Sequence, residues 1–140
     1  MRRSLLALLL LLAACAPSVE TPSYPPAKAG PGVLVLRDEA GRILLNPDLG
    51  LFAPAGSVLL AQSYQGEASK SRFTSPESFD RVLRWLEEAL WDLGYRLEEV
   101  RVHERPPERY EATLVVVGKG KRRVVRLVYR SGVFDLEVAP

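Results

Sequence analysis

Residues 125 to 138, VRLVYRSGVFDLEV, admit one good strand pairing. A two-residue turn at Ser131-Gly132 sets Tyr129 opposite Phe134, Leu127 opposite Leu136 and Val125 opposite Val138, all apolar and all on one face. On the other face the same register sets Arg126 against Glu137, an opposite-charge pair. A slip of one residue would turn the whole apolar set to solvent. The body of this chain must therefore hold an antiparallel sheet with one covered face.

The preceding stretch extends that sheet. Tyr110, Ala112, Leu114 and Val116 share a face, and Gly118 to Lys121 turns the chain back into Val125, Leu127 and Tyr129. Tyr95 and Leu97 have one parity, Val100 and Val102 the other, so a bulge or bend at Glu98-Glu99 is needed to keep them on one side. Pro106-Pro107 ends that strand. The cover comes from the one clear helix, about residues 76–93. Its start is read at Ser75-Pro76, with Thr74 and Glu77 offering capping-box spacing as an alternative. Phe79, Val82, Leu83, Leu86, Leu90 and Leu93 form one stripe, and Gly94 stands at the C-terminal cap.

Two hairpins precede the helix. Val33–Leu36 and Arg42–Leu45 flank a polar turn, and Asn46 to Gly50 stops that pair; Ser57–Tyr64 and Ser69–Phe73 flank Gln65-Gly66-Glu67. The expected fold class is α+β: a two-layer sandwich of an antiparallel sheet and one amphipathic helix, preceded by an N-terminal hairpin, in a single domain over 33–140.

Residues 1–14 have a different character. Arg2 and Arg3 precede the apolar run Leu5 to Leu12, which is about half the ~20 residues needed to span a bilayer, and Ala13 and Ala14 supply small side chains before Cys15. Leu12-Ala13-Ala14-Cys15 resembles the lipobox of bacterial lipoproteins. The resemblance implies cleavage between Ala14 and Cys15, a diacylglyceryl thioether on the Cys15 thiol, often an acylated new N-terminus, and localisation in the cell envelope. Ala16, in place of the Asp that commonly retains such proteins on the inner membrane, favours the periplasmic side of the outer membrane. One acyl chain binds marginally and two or three hold durably, since each buried methylene contributes about 0.8 kcal/mol.

From Cys15 to Gly32 the chain reads as a lipidated cysteine and a spacer: five prolines (Pro17, Pro22, Pro25, Pro26, Pro31) and no helical or strand period. Without Arg2 and Arg3 the 19 basic residues become 17, matching the 17 acidic ones, so a globally basic nucleic-acid binder is not indicated. From Pro54 onward, a polar hairpin, a Ser-Pro-Glu helix start, Leu-Gly-Tyr and a run of strands look like domains of uncharacterised bacterial lipoproteins. That likeness of layout carries no active residues.

No motif identifies an activity. His103, the only histidine, stands near a strand end beside Glu104 and Arg105, without HxxxH, CxxC or GxSxG spacing, so no catalytic group, metal or cofactor is expected. Glu87-Glu88 and Glu98-Glu99 diverge as sequence neighbours do and read as surface carboxylates. GKGKRR, 118–123, lacks the P-loop spacing and opens a strand. What remains is a basic hairpin, Lys119, Lys121, Arg122, Arg123, Arg126 and Arg130. It is either a solvated edge or a seat for phosphate-rich ligands, phospholipid head groups or nucleic acid. Trp91 falls off the apolar stripe among Arg84, Glu87 and Glu88: an exposed protein contact, or a side chain covered by the N-terminal hairpin. Trp85 belongs to the rim of the core.

The chain thus reads as an envelope lipoprotein with a non-catalytic binding or scaffolding domain, whose partner is another envelope protein. The alternatives are an anionic-ligand module on the Lys119–Arg130 hairpin and an envelope enzyme using His103.

Overall fold

The hairpin that constrains the sequence has its expected register in the computed structural model, which describes residues 23–140. Strands β8 (Lys121–Arg130) and β9 (Val133–Ala139) pair Tyr129 with Phe134, Leu127 with Leu136, Val125 with Val138 and Arg126 with Glu137. The turn between them has φ 53° at Ser131 and 81° at Gly132, the left-handed pair that suits the right-handed twist of a two-residue hairpin.

Seven other strands and one helix complete the α+β fold: β1 (Lys28–Ala29), β2 (Leu44–Asn46), β3 (Leu51–Phe52), β4 (Val58–Gln65), β5 (Ala68–Thr74), α1 (Phe79–Asp92), β6 (Arg96–Arg105) and β7 (Arg109–Gly118). The main sheet has the order β1-β4-β5-β9-β8-β7-β6, while β2 and β3 form a second, small sheet. Every pairing in the main sheet is antiparallel except that of β1 with β4, so the sheet is mixed where an antiparallel one was expected. The parallel strand comes from the last residues of the expected spacer. Lys28 N–H donates to Ser57 O at 3.0 Å and Gly30 N–H to Leu59 O at 2.8 Å; backbone bonding recruits a segment that has no apolar period.

The bulge needed at Glu98-Glu99 is present. The β6–β7 register shifts between Leu97 and Glu99, bringing Leu97, Val100 and Val102 opposite Val116, Leu114 and Ala112 on one face. Leu97 packs against the core, whereas Val100 and Val102 stay exposed on the edge strand.

The helix starts later than expected, at Phe79 rather than near residue 76, and ends at Asp92. Ser78 is the N-cap, its Oγ accepting from Arg81 N–H, while Ser75 Oγ accepts from Glu77 N–H in a turn ahead of it. Pro76 belongs to the packing before the helix, close to Gly56 and Tyr24. The stripe Phe79, Val82, Leu83, Leu86 and Leu90 is buried and shares one core with Ala112, Leu114, Val116, Val125, Leu127, Phe134, Leu136 and Val138 of the sheet. A cross-strand row of aromatics, Tyr110, Tyr129, Phe134 and Phe73, lies at one end of this core. Phe79 packs 5.5 Å from Tyr110, and Phe134 lies 4.7 Å from Tyr129 and 5.4 Å from Phe73.

The first expected hairpin shrinks to one bridge, Arg37 to Ile43, with Leu34 left 90% exposed. Its second arm instead joins β3 and covers β5, which explains the serines there. Ser69 Oγ accepts from Asn46 Nδ2 at 2.8 Å, and Gln62 Nε2 donates to Leu44 O at 2.7 Å and to Ser71 Oγ at 3.1 Å. Polar residues on β4 and β5 satisfy the backbone and side chains of a small sheet buried against them.

Candidate functional site: two basic ends of an open sheet

The basic hairpin does not present one surface. Lys119 and Gly120 form its turn, with φ 52° and 72°, and beyond it the β8 side chains alternate. Lys121 and Arg123 share the face of Val125 and Leu127, whereas Arg122, Arg126 and Arg130 lie on the opposite, uncovered face. Four of the six are already paired with carboxylates. Arg123, its side chain 5% exposed, reaches Asp48 and Glu67 at 2.9 Å each, and Lys121 reaches the same two carboxylates at 3.4 and 3.2 Å. Arg122 lies 3.5 Å from Glu98, and Lys119 stands 5.3 Å from the Tyr95 ring centroid. Arg126 bridges Glu111 and Glu137. The six cations are thus not available together: β alternation divides them and acidic neighbours neutralise most.

The open face joins two arginines that the sequence did not single out, Arg72 and Arg109, to Arg126 and Arg130. Arg72, Arg109, Arg126 and Arg130 surround Val128 and Val133 in a shallow depression of about 320 Å³, with Asp135 and Glu137 between them. Arg72 holds Asp135 by two hydrogen bonds, at 2.9 and 3.3 Å, which raises the guanidinium pKa. Glu111 takes Arg126 on one oxygen and Arg109 Nη2 at 3.0 Å on the other; the Arg126 hydrogen bond holds its carboxyl below the usual range. Arg109 Nε is buried without a hydrogen-bond partner. The signal for this cluster was the outward parity of Arg126 and Arg130 together with ERPPER, residues 104–109, which returns two more arginines to the same strand ends.

His103 does meet other polar groups. It sits opposite Glu111 in register and lines a depression with Glu104, Arg105, Arg109 and Glu111. Glu111 already accepts from two arginines, and no hydroxyl or thiol lines that depression, so the geometry assembles neither an oriented base nor a nucleophile.

Trp91 is 69% exposed, in a shallow surface with Glu87, Glu88 and Asp92 on the outer side of α1; the described N-terminal residues leave it open. Trp85 packs partly buried against the core. Among the described residues no three His, Cys, Asp or Glu side chains gather as a metal site, and no helix is long and apolar enough to cross a membrane. The signal segment, the Ala14-Cys15 bond and the lipidated Cys15 lie outside the described residues. In comparisons with known proteins the chain matches no family model, no curated protein and no solved structure.

Proposed function

We propose that the chain is a lipid-anchored lipoprotein of the cell envelope, on the periplasmic side of the outer membrane. Its body, a two-layer sandwich of α1 on the sheet, is a non-catalytic domain that binds or scaffolds another envelope protein. Leu12-Ala13-Ala14-Cys15, with its positive and apolar flanks, supports the anchoring. The observation that carries the binding role is Trp91: a large amphipathic ring left open on a rigid helix whose other side is locked into the core. Its carboxylate surround suits a partner with an apolar pocket and a basic rim.

Two substitutions in the full chain test this reading separately. Cys15→Ser is expected to abolish incorporation of labelled palmitate and release the protein from membranes; continued labelling refutes the anchor. Trp91→Ala is expected to remove a partner cross-linked to the wild-type protein in native membranes while leaving thermal stability within about 0.5 kcal/mol, as for a surface substitution. An unchanged set of cross-links refutes the Trp91 contact.

A further inference from the structure

We infer that the sheet end carrying Arg105, Arg109 and Arg130 faces the bilayer and docks on the anionic phospholipid head groups of the membrane that holds Cys15. This inference rests on the lipoprotein reading. Strand direction provides the first argument. Gly56 N–H donates to Pro25 O at 2.7 Å, and β1 enters beside the start of β4 and parallel to it, so the N-terminal tail leaves at that end of the sheet. The antiparallel ladder from β4 through β6 places Thr74, Val133, Arg130, Arg109 and Arg105 at the same end. The Gly118–Lys121 turn lies at the other.

Length provides the second. Nine residue steps lead from Cys15 to Tyr24, with a reach of at most about 32 Å at about 3.6 Å per step. From Lys121 to Arg130, the nine steps of strand β8 themselves span about 30 Å. A tail leaving at the Arg130 end could lay the Lys119 end on the bilayer only by running back along the domain fully extended.

Charge provides the third. Arg105, Arg109 and Arg130 surround one depression with Glu108 and Ser131, three guanidinium groups to one carboxylate. Among the described residues no carboxylate lies within 4.0 Å of the Arg105 or Arg130 guanidinium, whereas Arg109 is held by Glu111 at 3.0 Å through Nη2 and keeps only its buried Nε unpartnered. Glu104 adds one negative charge nearby. At the distal end Lys121, Arg122 and Arg123 are engaged by Asp48, Glu67 and Glu98 and Lys119 lies over the Tyr95 ring, which leaves Arg96 there without a partner among the described residues. The planar fork of arginine matches phosphate oxygens, and each basic residue held near an anionic leaflet raises the docked population about fivefold.

The test uses the processed, lipidated protein in nanodiscs that contain a gadolinium-chelating lipid, read by amide broadening, with the mass of the N-terminal peptide reporting acylation. In discs containing phosphatidylglycerol, the amides of Arg105, Arg109 and Ser131 to Gly132 are expected to broaden more than those of Gly118 to Lys121. In pure phosphatidylcholine that bias should fall to the smaller one the tether alone imposes, and an equal bias in the two kinds of disc overturns the docking. Arg105→Ala/Arg109→Ala/Arg130→Ala is expected to lower the docked population on the order of a hundredfold, while Lys119→Ala/Arg122→Ala retains the bias. Should the triple variant fail to fold, the comparison of anionic with neutral discs on the wild-type protein decides. Equal broadening at both ends, or stronger broadening at the Lys119 end, with an acylated N-terminus overturns the docking alone. An N-terminus without acyl chains overturns the lipoprotein reading and the docking with it.

Discussion

Arg123 is a cation at a position whose parity belongs to the core. It alternates with Val125 and Leu127, so period-two reasoning points it inward, but the run GKGKRR reads as solvated charge. The two carboxylates that resolve the conflict come from distant turns, Asp48 after β2 and Glu67 between β4 and β5, and sequence spacing does not bring them together. Asp48 → Asn leaves the buried guanidinium with Glu67 alone, and a cost of about 1–3 kcal/mol is expected. The pair also titrates. Desolvation pushes Asp48 up, but hydrogen bonds and charge from Arg123 and Lys121 outweigh it and hold the carboxyl low. At Glu111 the Arg126 hydrogen bond dominates, again downward. Both carboxyls fold with depressed pKa values. Their stabilisation is complete above the unfolded values of about 4 and is lost as pH falls through the folded ones. Urea midpoints of the wild-type protein should therefore decline steeply below about pH 4. The Asp48→Asn/Glu111→Gln variant should begin lower and decline less; parallel curves would refute the assignment.

At the scale of the element, the start of α1 shows how local signals compete. Ser75 and Ser78 both have cap chemistry, and proline after Ser75 makes it the natural choice. The helix instead begins at Phe79 because Phe79 is the first residue of the buried stripe and packs on Tyr110, while Pro76 is needed beside Gly56 and Tyr24. Ser78→Ala is expected to cost about 1 kcal/mol in thermal or urea unfolding, and Ser75→Ala clearly less. Equal losses would contradict the cap assignment. The elements that were legible, β7 to β9 and the bulged β6, are those where both faces of a strand argue for the same register. The bridge at Arg37 was not legible as such. The apolar run Val33–Leu36 imitates a strand, yet Leu36 N–H is held by the Gln62 side chain and Leu34 stays in solvent. β1 gave no apolar signal, because it is held by its backbone.

That backbone attachment sets how the whole molecule hangs from its anchor. With Tyr24 to Gly30 docked, nine residue steps connect Cys15 to the body; with them released up to Val33, eighteen do, and the maximal reach doubles to about 65 Å. Gly56 controls the choice. Its φ of +81° is poorly suited to any side chain, and a methyl group there would stand 3.0 Å from Tyr24 Cβ and 3.3 Å from Pro76 Cγ. Glu77, hydrogen-bonded to the Tyr24 hydroxyl, raises its pKa and ties the same tyrosine to the turn before α1. Gly56→Ala is therefore expected to weaken the docking by about 1–2 kcal/mol, the cost of left-handed backbone with a Cβ. The core bonds between β8 and β9 should remain intact. Hydrogen exchange reads the two separately. The amides of Lys28 and Gly30 should exchange roughly 5- to 30-fold faster, since 1.4 kcal/mol is about a factor of ten. Those of Leu127 and Leu136 should keep their protection. Acceleration of both sets together would mean that the N-terminal segment and the domain open as one unit, and the body would then include residues 24–30 as an inseparable part of its fold.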